Sequence, residues 1–492
     1  MPIQSLAFMI FKKPLFYFIF IVASLVSILT LDSCKKDTSF AEGNVSLTFS
    51  TDTILFDTLF TTIGSSTYTL LVSNTLDKPV NISQLYLGNG QNSKFRMNVD
   101  GVSGFHLSDV EIPAHDSIYI FVEVTIDPNS GTGPMLVTDS ILFEVNGNLQ
   151  DVNLIAYGID AYFILPNRNI AGLPPFHIVS REFTDTTWTN DKPIVIYGYA
   201  VVDSNAILRI EEGTKIFFHS NSGLWIYKGG SLKVMGTKDK PVTFEGDRPE
   251  AYYENIPGQW DRIWINESSV DNEINYAQIR NGFIGIQAEY LQEDMGNQLS
   301  IKNTIIENMS GVGILSRSYK IDAENLLITN CKQYNLALTM GGNYEFRHCT
   351  FANYWNYDVR KTPAVYINNY YVGANNVVFP FDLVKANFYN SIIYGNNTEE
   401  LLVDNNSQGG SFNYLFDHNL IKTENSTNNS SFWVSILKNQ DPKFVSTSNA
   451  DYHLQDISPA IGQGKSSVIP SFDIEGNQRD ATSPDLGVYE YQ

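Results

Sequence analysis

The stretch that decides the fold is AVVDSNAILRIEEGTKIFFHSNSGLWIYKGGSLKVMGTKDKPVTF, residues 200–244. It holds three short runs of alternating apolar residues and then three more, so that each run recurs about one coil later. The pairs that mark this period are Val202 and Ile226, 24 apart, Ile210 and Val234, 24 apart, and Phe218 and Phe244, 26 apart. Alternation buries one face of a strand, and a fixed longer period stacks each strand on its counterpart in the next repeat. The stretch therefore predicts a parallel β-helix with three strands per coil.

Composition restricts the classes of partner. The chain has 492 residues, 43% of them hydrophobic and 17% charged, with a formal net charge of −21. This charge argues against a nucleic-acid partner, because phosphate backbones favour Lys and Arg. It also disfavours polyanionic glycans unless a bound cation intervenes.

The N-terminus has the pattern of an export signal. Lys12 and Lys13 precede an uncharged hydrophobic stretch at 14–31, and Cys34 follows shortly after it. A membrane-spanning anchor is one interpretation, since 18 residues are near the lower limit for a span. The Cys after a small residue resembles a bacterial lipoprotein signal instead, of the type found in Bacteroidota. This resemblance implies a signal peptide at 1–33, a lipidated Cys34, a tether at 34–44, and a lipoprotein of the outer membrane that faces the periplasm or the cell surface.

Residues 45–160 alternate apolar and polar residues without a long period. Runs at 68–73, 117–127 and 140–145 are separated by turn signals such as 127–129 and 146–148. The pattern predicts a β-sandwich of about seven strands. The segments 56–64 and 112–117 resemble hydin-like immunoglobulin-type domains, which implies a spacer or a binding module.

A proline-containing connector is expected at 161–193 and the β-helix at 194–452. In the middle coils an Asn follows each apolar marker at the same distance, and we expect these residues to form a ladder because Asn tolerates left-handed backbone and its amide bonds to the next coil. The ladder residues are Asn281, Asn308, Asn330 and Asn353. A coil with a long loop is expected at about 354–386.

The two remaining Cys residues are predicted to be free. If Ile328 stacks on Phe351, Cys331 and Cys349 are displaced by five residues, about 16 Å along a strand. A disulfide needs Cα atoms within about 7 Å. We therefore expect two buried, unpaired thiols.

The segment 453–492 is predicted to cap the β-helix. Its runs 458–464, 473–480 and 485–490 resemble the terminal segment of bacterial β-helix proteins. With the repeat at 194–265, this makes the second half resemble the right-handed parallel β-helix, or pectin-lyase-like, superfamily. We interpret its buried polar residues as turn and cap ion pairs: Asp473, Arg479, Asp485 and Glu490.

No catalytic motif stands out. The superfamily includes polysaccharide lyases and glycoside hydrolases, but we find no paired-Asp motif on successive coils, no phase-locked Asp/Glu series and no metal-ligand spacing of His. No metal or cofactor is predicted, and Ca²⁺ enters only if the protein is a lyase. Two aromatic segments, 247–262 and 353–371, are candidates for sugar contacts or for small cores of their own. The candidate ligand-binding residues are Tyr252, Tyr253, Trp260, Tyr354, Trp355, Tyr357, Asp358, Arg360, Tyr370 and Tyr371.

Three functions fit these observations. The first is a non-catalytic envelope lipoprotein that binds an extended glycan or a protein partner along the β-helix. The second is a carbohydrate-active enzyme, a polysaccharide lyase or glycoside hydrolase, with its residues in the two aromatic segments. The third is a structural or assembly component. If the two segments project onto one face, the first two functions are favoured over the third.

Overall fold

The computed structural model of the protein describes residues 39–128, 135–266, 268–290, 298–406 and 410–492. The predicted signal peptide at 1–33 and Cys34 lie outside this part of the chain. The described residues form strands and four short 3₁₀ helices, at Gly90–Asn92, Ala251–Tyr253, Ala374–Asn376 and Thr447–Asn449. Two compact units are present, and their main parts are Gly64–Thr125 with Leu136–Ala156, and Tyr157–Gln492.

Ten strands precede the β-helix in the described chain: β1 Thr48–Phe49, β2 Thr53–Phe60, β3 Tyr68–Ser73, β4 Val80–Leu87, β5 Phe95–Val99, β6 Val102–Gly104, β7 His106–Ile112, β8 Ser117–Val124, β9 Met135–Val145 and β10 Asn148–Ile159. They form two five-stranded sheets, with the orders β1-β3-β8-β5-β6 and β2-β10-β9-β4-β7. Phe56 of the second sheet lies 5.6 Å from Phe95 of the first, between ring centroids. The two sheets therefore enclose a shared core as a β-sandwich, and the immunoglobulin-type assignment stays a prediction.

The second unit continues with β11 Tyr162–Ile164, β12 Phe176–Ser180, β13 Asp185–Trp188, β14 Ile194–Ile196, β15 Tyr199–Val202, β16 Ile207–Glu211, β17 Lys215–Phe218, β18 Gly223–Ile226, β19 Ser231–Met235, β20 Val242–Gly246, β21 Trp260–Ile265, β22 Asn272–Asn275, β23 Ala277–Arg280, β24 Gly282–Glu289, β25 Leu299–Glu307, β26 Val312–Arg317, β27 Lys320–Thr329, β28 Leu336–Thr339, β29 Gly342–Arg347, β30 Thr350–Asn353, β31 Val365–Asn368, β32 Tyr370–Val372, β33 Val378–Pro380, β34 Leu383–Tyr389, β35 Ile392–Gly395, β36 Leu401–Asp404, β37 Phe412–Ile421, β38 Trp433–Lys438, β39 Phe444–Ser446 and β40 Asp451–Leu454.

These strands wind into a parallel β-helix. One of its three faces is a nine-stranded sheet, to which each coil contributes one strand: β12, β15, β18, β21, β24, β26, β28, β31 and β36. The other two faces belong to a 17-stranded sheet that turns a corner. At this corner β25 pairs with β22 through Leu299–Lys302 and with β23 through Ile305–Glu307. Asn303 lies between these segments with φ of 47°. A parallel β-helix with three strands per coil is therefore confirmed.

Most of the predicted register is confirmed. Val202 pairs with Ile226 and Ile210 with Val234. The third pair is wrong, because Phe244 lies opposite Ile216 and not Phe218. Ile216 and Phe244 are 28 residues apart, whereas Ile194 and Ile216, one coil earlier, are 22 apart. The added length includes the turn between β19 and β20, in which Thr237 and Lys240 exchange backbone hydrogen bonds.

The cysteine prediction is also confirmed. Ile306 pairs with Ile328 and Ile328 with Phe351, as the argument required. Cys331 and Cys349 are buried and free. Burial raises the pKa of both thiols to about 12, so both are protonated at neutral pH.

The connector prediction for 161–193 is wrong. This segment holds β11, β12 and β13, which pair in parallel with β14, β15 and β16. It is therefore the first coil of the β-helix. Its strands are only three to five residues long and a long loop divides them, which hid the alternation.

The predicted cap, 453–492, lies along the flank of the β-helix and not over its end. Its apolar residues pack on outward-facing residues of four successive coils, Leu327, Ala352, Ile392 and Leu420. The loop after β37 covers the last strand of the nine-stranded sheet, where the Asn425 side chain donates to the Leu401 carbonyl at 3.2 Å. The chain therefore closes its end with 422–432 and uses its C-terminal segment to bury one side.

The Asn ladder forms only in part. The Asn308 amide donates to Asn281 Oδ1 at 2.7 Å, whereas Asn330 accepts from Tyr452 and Asn353 donates to the Cys331 carbonyl. Asn353 also lacks the left-handed backbone of the other three. A second ladder, which the sequence analysis missed, runs along the other corner from Asn275 through Asn303 to Asn325.

Candidate functional site

The two predicted aromatic segments leave the same corner of the β-helix and meet. The Tyr357 hydroxyl donates to the Asn255 carbonyl, and the Asn308 side chain donates to the same carbonyl at 2.7 Å. The guanidinium of Arg248 lies 4.1 Å from the Tyr253 ring centroid, and the Tyr252 ring stands edge-on to that of Tyr253. Both segments therefore project onto one corner, next to the start of the strands of the nine-stranded sheet.

For two of the candidate residues, Trp260 and Arg360, the prediction of ligand binding is wrong, because their side chains have structural roles. Trp260 is 1% exposed, stacks on Phe218 at 4.4 Å in the core, and donates to the Arg280 carbonyl. Arg360 is buried against Glu400, with hydrogen bonds of 2.8 and 2.5 Å. Burial raises the pKa of Glu400, which Arg360 opposes. Neither side chain is available to a ligand.

Several other candidates support the loops. Trp355 is buried and donates to Asp358 at 2.7 Å, and Lys332 pairs with the other oxygen of Asp358. These hydrogen bonds lower the pKa of Asp358. Tyr354 lies under the C-terminal segment, 6.3 Å from the Tyr452 ring. Of the ten candidates, Tyr252, Tyr357, Asp358 and Tyr371 are exposed.

The cap residues form one buried polar cluster. Arg479 pairs with Glu490 at 3.3 Å and donates to Asn325 Oδ1 at 3.0 Å, which ends the second Asn ladder. Asp473 accepts from the Glu475 and Asn477 amides, and Asp485 accepts from the Gly462 and Tyr491 amides. These contacts hold the C-terminal segment on the flank.

The sequence analysis did not identify the outer face of the nine-stranded sheet. A cluster of aromatic and charged side chains lies on this face. Trp225 and Trp264 stack at 4.9 Å with an interplanar angle of 17°. Tyr199, Phe176 and Tyr227 pack around them. The Trp225 indole N–H is buried and has no hydrogen-bond partner among the described residues.

A polar network adjoins the stacked indoles. Asp261 accepts from the Tyr199 hydroxyl and pairs with Arg262, which donates in turn to Gln287. Burial and the neighbouring Asp261 raise the pKa of Tyr199, so its hydroxyl stays protonated. Two carboxylates and two guanidinium groups belong to this network: Asp261, Glu289, Arg262 and Arg317.

Glu289 joins the network to the indoles. The Trp264 N–H donates to Glu289 Oε1 at 2.7 Å, and Gln287 and Arg317 donate to Glu289 Oε2 at 2.9 and 3.1 Å. The aromatic and polar parts are therefore one connected surface.

The surface extends to a second aromatic group. Tyr334 and Tyr366 stack at 5.4 Å, and the Tyr366 and Tyr370 hydroxyls both donate to Asp404 Oδ2. Strand pairing places a single outer row across the coils: Val201, Trp225, Trp264, Gln287, Leu315, Ala337, Tyr366 and Leu402. Five coil steps of about 4.8 Å separate Trp225 from Tyr366, so the row spans about 24 Å between them.

The sequence signal for this row is weak. Trp225 and Trp264 are 39 residues apart, whereas Trp264 and Gln287 are 23 apart. Unequal coil lengths hide the row until the strand pairing is known. An aromatic residue at an outward position of a predicted strand was the available signal.

Two features are absent from the described ranges, a metal site and a membrane-spanning helix. No group of three or more His, Cys, Asp or Glu residues there has the arrangement of a metal site. No helix in the same ranges has the length and apolar character needed to cross a membrane.

No protein-family model and no curated protein matches the chain. Among solved structures, the GH87 alpha-1,3-glucanase catalytic unit from Streptomyces thermodiastaticus is 10% identical over 75% of this chain and 89% of its own, with a TM-score of 0.24. A GH87 alpha-1,3-glucanase catalytic domain in complex with nigerose is 13% identical over 72% and 81%, with a TM-score of 0.20. A PapD-like domain of human CEP192 is 10% identical over 25% and 96%, with a TM-score of 0.17. TM-scores this low do not establish a shared fold, and the parallel β-helix is assigned here from strand pairing alone.

Proposed function

We propose that this protein is an outer-membrane lipoprotein, anchored through Cys34, that binds an extended glycan along the outer row of the nine-stranded sheet. The observation that supports binding is the half-buried Trp264 ring, which stacks on the buried Trp225 and donates to Glu289. Gln287 links Glu289 to the partly exposed ion pair of Asp261 and Arg262. Aromatic rings cover the apolar faces of sugars, and amide, carboxylate and guanidinium groups bond to sugar hydroxyls. The lipid anchor is proposed from the signal-like sequence at the N-terminus.

The charge on this face favours an uncharged glycan. Asp261 is paired with Arg262, and Glu289 with Arg317, so the two ion pairs cancel. Asp404 adds one negative charge at the Tyr366 end, which does not attract an anionic sugar. The net charge of −21 repels a polyanion from the rest of the surface. A neutral polysaccharide is therefore the expected ligand.

A carbohydrate-active enzyme, a glycoside hydrolase or a polysaccharide lyase, is the second candidate. Two carboxylates, Asp261 and Glu289, lie on the same face beside Trp264, and a hydrolase needs such a pair. Both are engaged by guanidinium groups in the free protein, which favours binding over acid–base work.

The test is a screen of residues 35–492 against neutral and acidic polysaccharides. It measures binding, reducing ends and unsaturated products in parallel. We expect binding of a neutral polymer without turnover, and binding that is at least tenfold weaker in Trp264→Ala. Turnover that Glu289→Gln abolishes would replace the binding proposal by the enzyme. Absence of both binding and turnover would contradict both.

A further inference from the structure

The β-sandwich exposes two aromatic rings on its central strand. In β8 the residues alternate, with Ile118, Ile120 and Val122 buried. Tyr119 and Phe121 point to the outer face and are 53% and 41% exposed. Their rings lie 6.4 Å apart with an interplanar angle of 17°, so they form a stacked aromatic pair on the outer face, called the platform below.

A recess of about 450 Å³ adjoins this platform. Its polar lining comes from the neighbouring strands β5 and β6 and from β8: Arg96, Asn98, Ser103 and Glu123. Strand pairing sets Phe121 opposite Asn98 and Glu123 opposite Arg96. Asn98 in turn lies opposite Ser103. The recess therefore contains a row of polar side chains, placed by strand pairing, beside the exposed ring of Phe121.

Hydrogen bonds hold these polar side chains in place and leave them further donor and acceptor capacity for a ligand. The Asn98 amide donates to Ser103 at 2.9 Å, and Thr67 donates to Glu123 at 2.7 Å. Arg96 donates to Thr125 at 2.5 Å, which engages one of the five N–H groups of a guanidinium. Arg96 and Glu123 carry opposite charges, so the recess suits an uncharged ligand.

We propose that this face of the β-sandwich is a second carbohydrate-binding site, which takes one or a few neutral sugar rings across Tyr119 and Phe121 with their hydroxyls in the recess. The volume lies within the usual range for small-ligand sites, about 300–1,000 Å³. A strand-adding peptide is disfavoured because β8 is already paired on both sides, with β3 and β5. A stable protein interface buries about 800 Å² per partner, more than two rings and this recess offer.

This site is independent of the outer row on the β-helix, and the experiment separates the two. Binding of a neutral glycan panel is measured on residues 35–492, which include every described residue, in four forms: unchanged, Trp264→Ala, Tyr119→Ala/Phe121→Ala, and both sets together. The matched control is Leu136→Ala/Leu149→Ala, since these two exposed side chains lie on the other sheet, in β9 and β10.

We expect Trp264→Ala to keep binding at least one glycan, and the added Tyr119 and Phe121 changes to weaken that binding at least tenfold. The control should bind as before, and the Tyr119→Ala/Phe121→Ala change should shift the melting temperature by no more than about two degrees relative to the same chain without it. If Trp264→Ala binds no glycan, or if removing both rings leaves its binding unchanged, the second site is wrong. If Tyr119→Ala/Phe121→Ala instead changes the sedimentation of the protein in the absence of glycan, the face is a contact between copies of the chain. The inference then also fails.

Discussion

Individual residues show why charge and aromatic content were poor guides to the site. By sequence Arg360 is a candidate for ligand binding in the segment 353–371, but its partner is Glu400, which is 40 residues away. Trp260 looked like an exposed ring in a loop, yet it begins a strand and fills the core. The sequence shows which residue types are present, and a distant partner decides whether they are buried.

Arg360 gives a prediction on stability. Arg360→Met leaves the Glu400 carboxylate buried and unpaired, and we expect a cost of about 3–5 kcal/mol. Thermal unfolding measures it as a clear fall in melting temperature. Adding Glu400→Gln should recover more than half of the loss, because the charge is gone. An unchanged melting temperature in the single variant would show that the pair is not buried.

His348 gives a prediction on pH dependence. It is fully buried at the corner under the C-terminal segment, where burial and the nearby Arg479 hold its pKa well below the usual value. The unfolded chain therefore takes up a proton near pH 6.5 that the folded chain refuses, so stability is lost as pH falls below about 6.5. The loss approaches about 1.4 kcal/mol per pH unit for one proton.

His348→Asn should remove this dependence. The corresponding corner positions, Asn325 and Asn390, already carry Asn with positive φ, as His348 has. We expect the melting temperature of the variant to fall less between pH 7.5 and 5.0 than that of the unchanged protein. Parallel curves for the two proteins would contradict the assignment.

At the scale of elements, the sequence predicts the coils whose apolar pattern repeats. It does not predict the first coil or the outer row, which show no repeat. The period at 200–244 predicts one coil-to-coil step, Val202 to Ile226, because inward apolar residues must stack. The apolar markers that precede the ladder Asn residues predict three more, from Ile279 through Ile306 and Ile328 to Phe351. The first coil has strands too short to show alternation. The outer row is not constrained by the core, so its residues vary in type and only strand pairing reveals it.

Gly223 tests the packing of the outer row. An added Cβ would lie 2.5 Å from the Arg262 carbonyl and 2.8 Å from the Tyr199 ring. We expect Gly223→Ala to cost about 1–3 kcal/mol and to weaken glycan binding, because Tyr199 and Arg262 must move. Gly64→Ala is the control, since its nearest neighbour is at 3.7 Å. Equal melting temperatures for the two variants would count against this packing.

At the scale of the whole molecule, the C-terminal segment covers apolar side chains along one flank of the β-helix and keeps them from solvent. Removing residues 453–492 would expose Leu327, Ile392 and Leu420, each of which contributes about 1.5–3 kcal/mol when fully buried. We expect the truncated chain to unfold at lower temperature and to aggregate, as followed by light scattering during heating. A truncated chain as soluble and as stable as the full one would show that the segment only rests on the surface.

The central claim is that the outer row of the nine-stranded sheet binds glycan, and the affinity of Trp264→Ala tests it most directly. The measurement is calorimetric titration of residues 35–492 with the neutral polysaccharide that binds best, beside Phe472→Ala, whose exposed ring lies in the C-terminal segment. We predict at least a tenfold loss of affinity for Trp264→Ala and none for Phe472→Ala. Equal affinity for Trp264→Ala and the unchanged protein, with both folded, would contradict the claim.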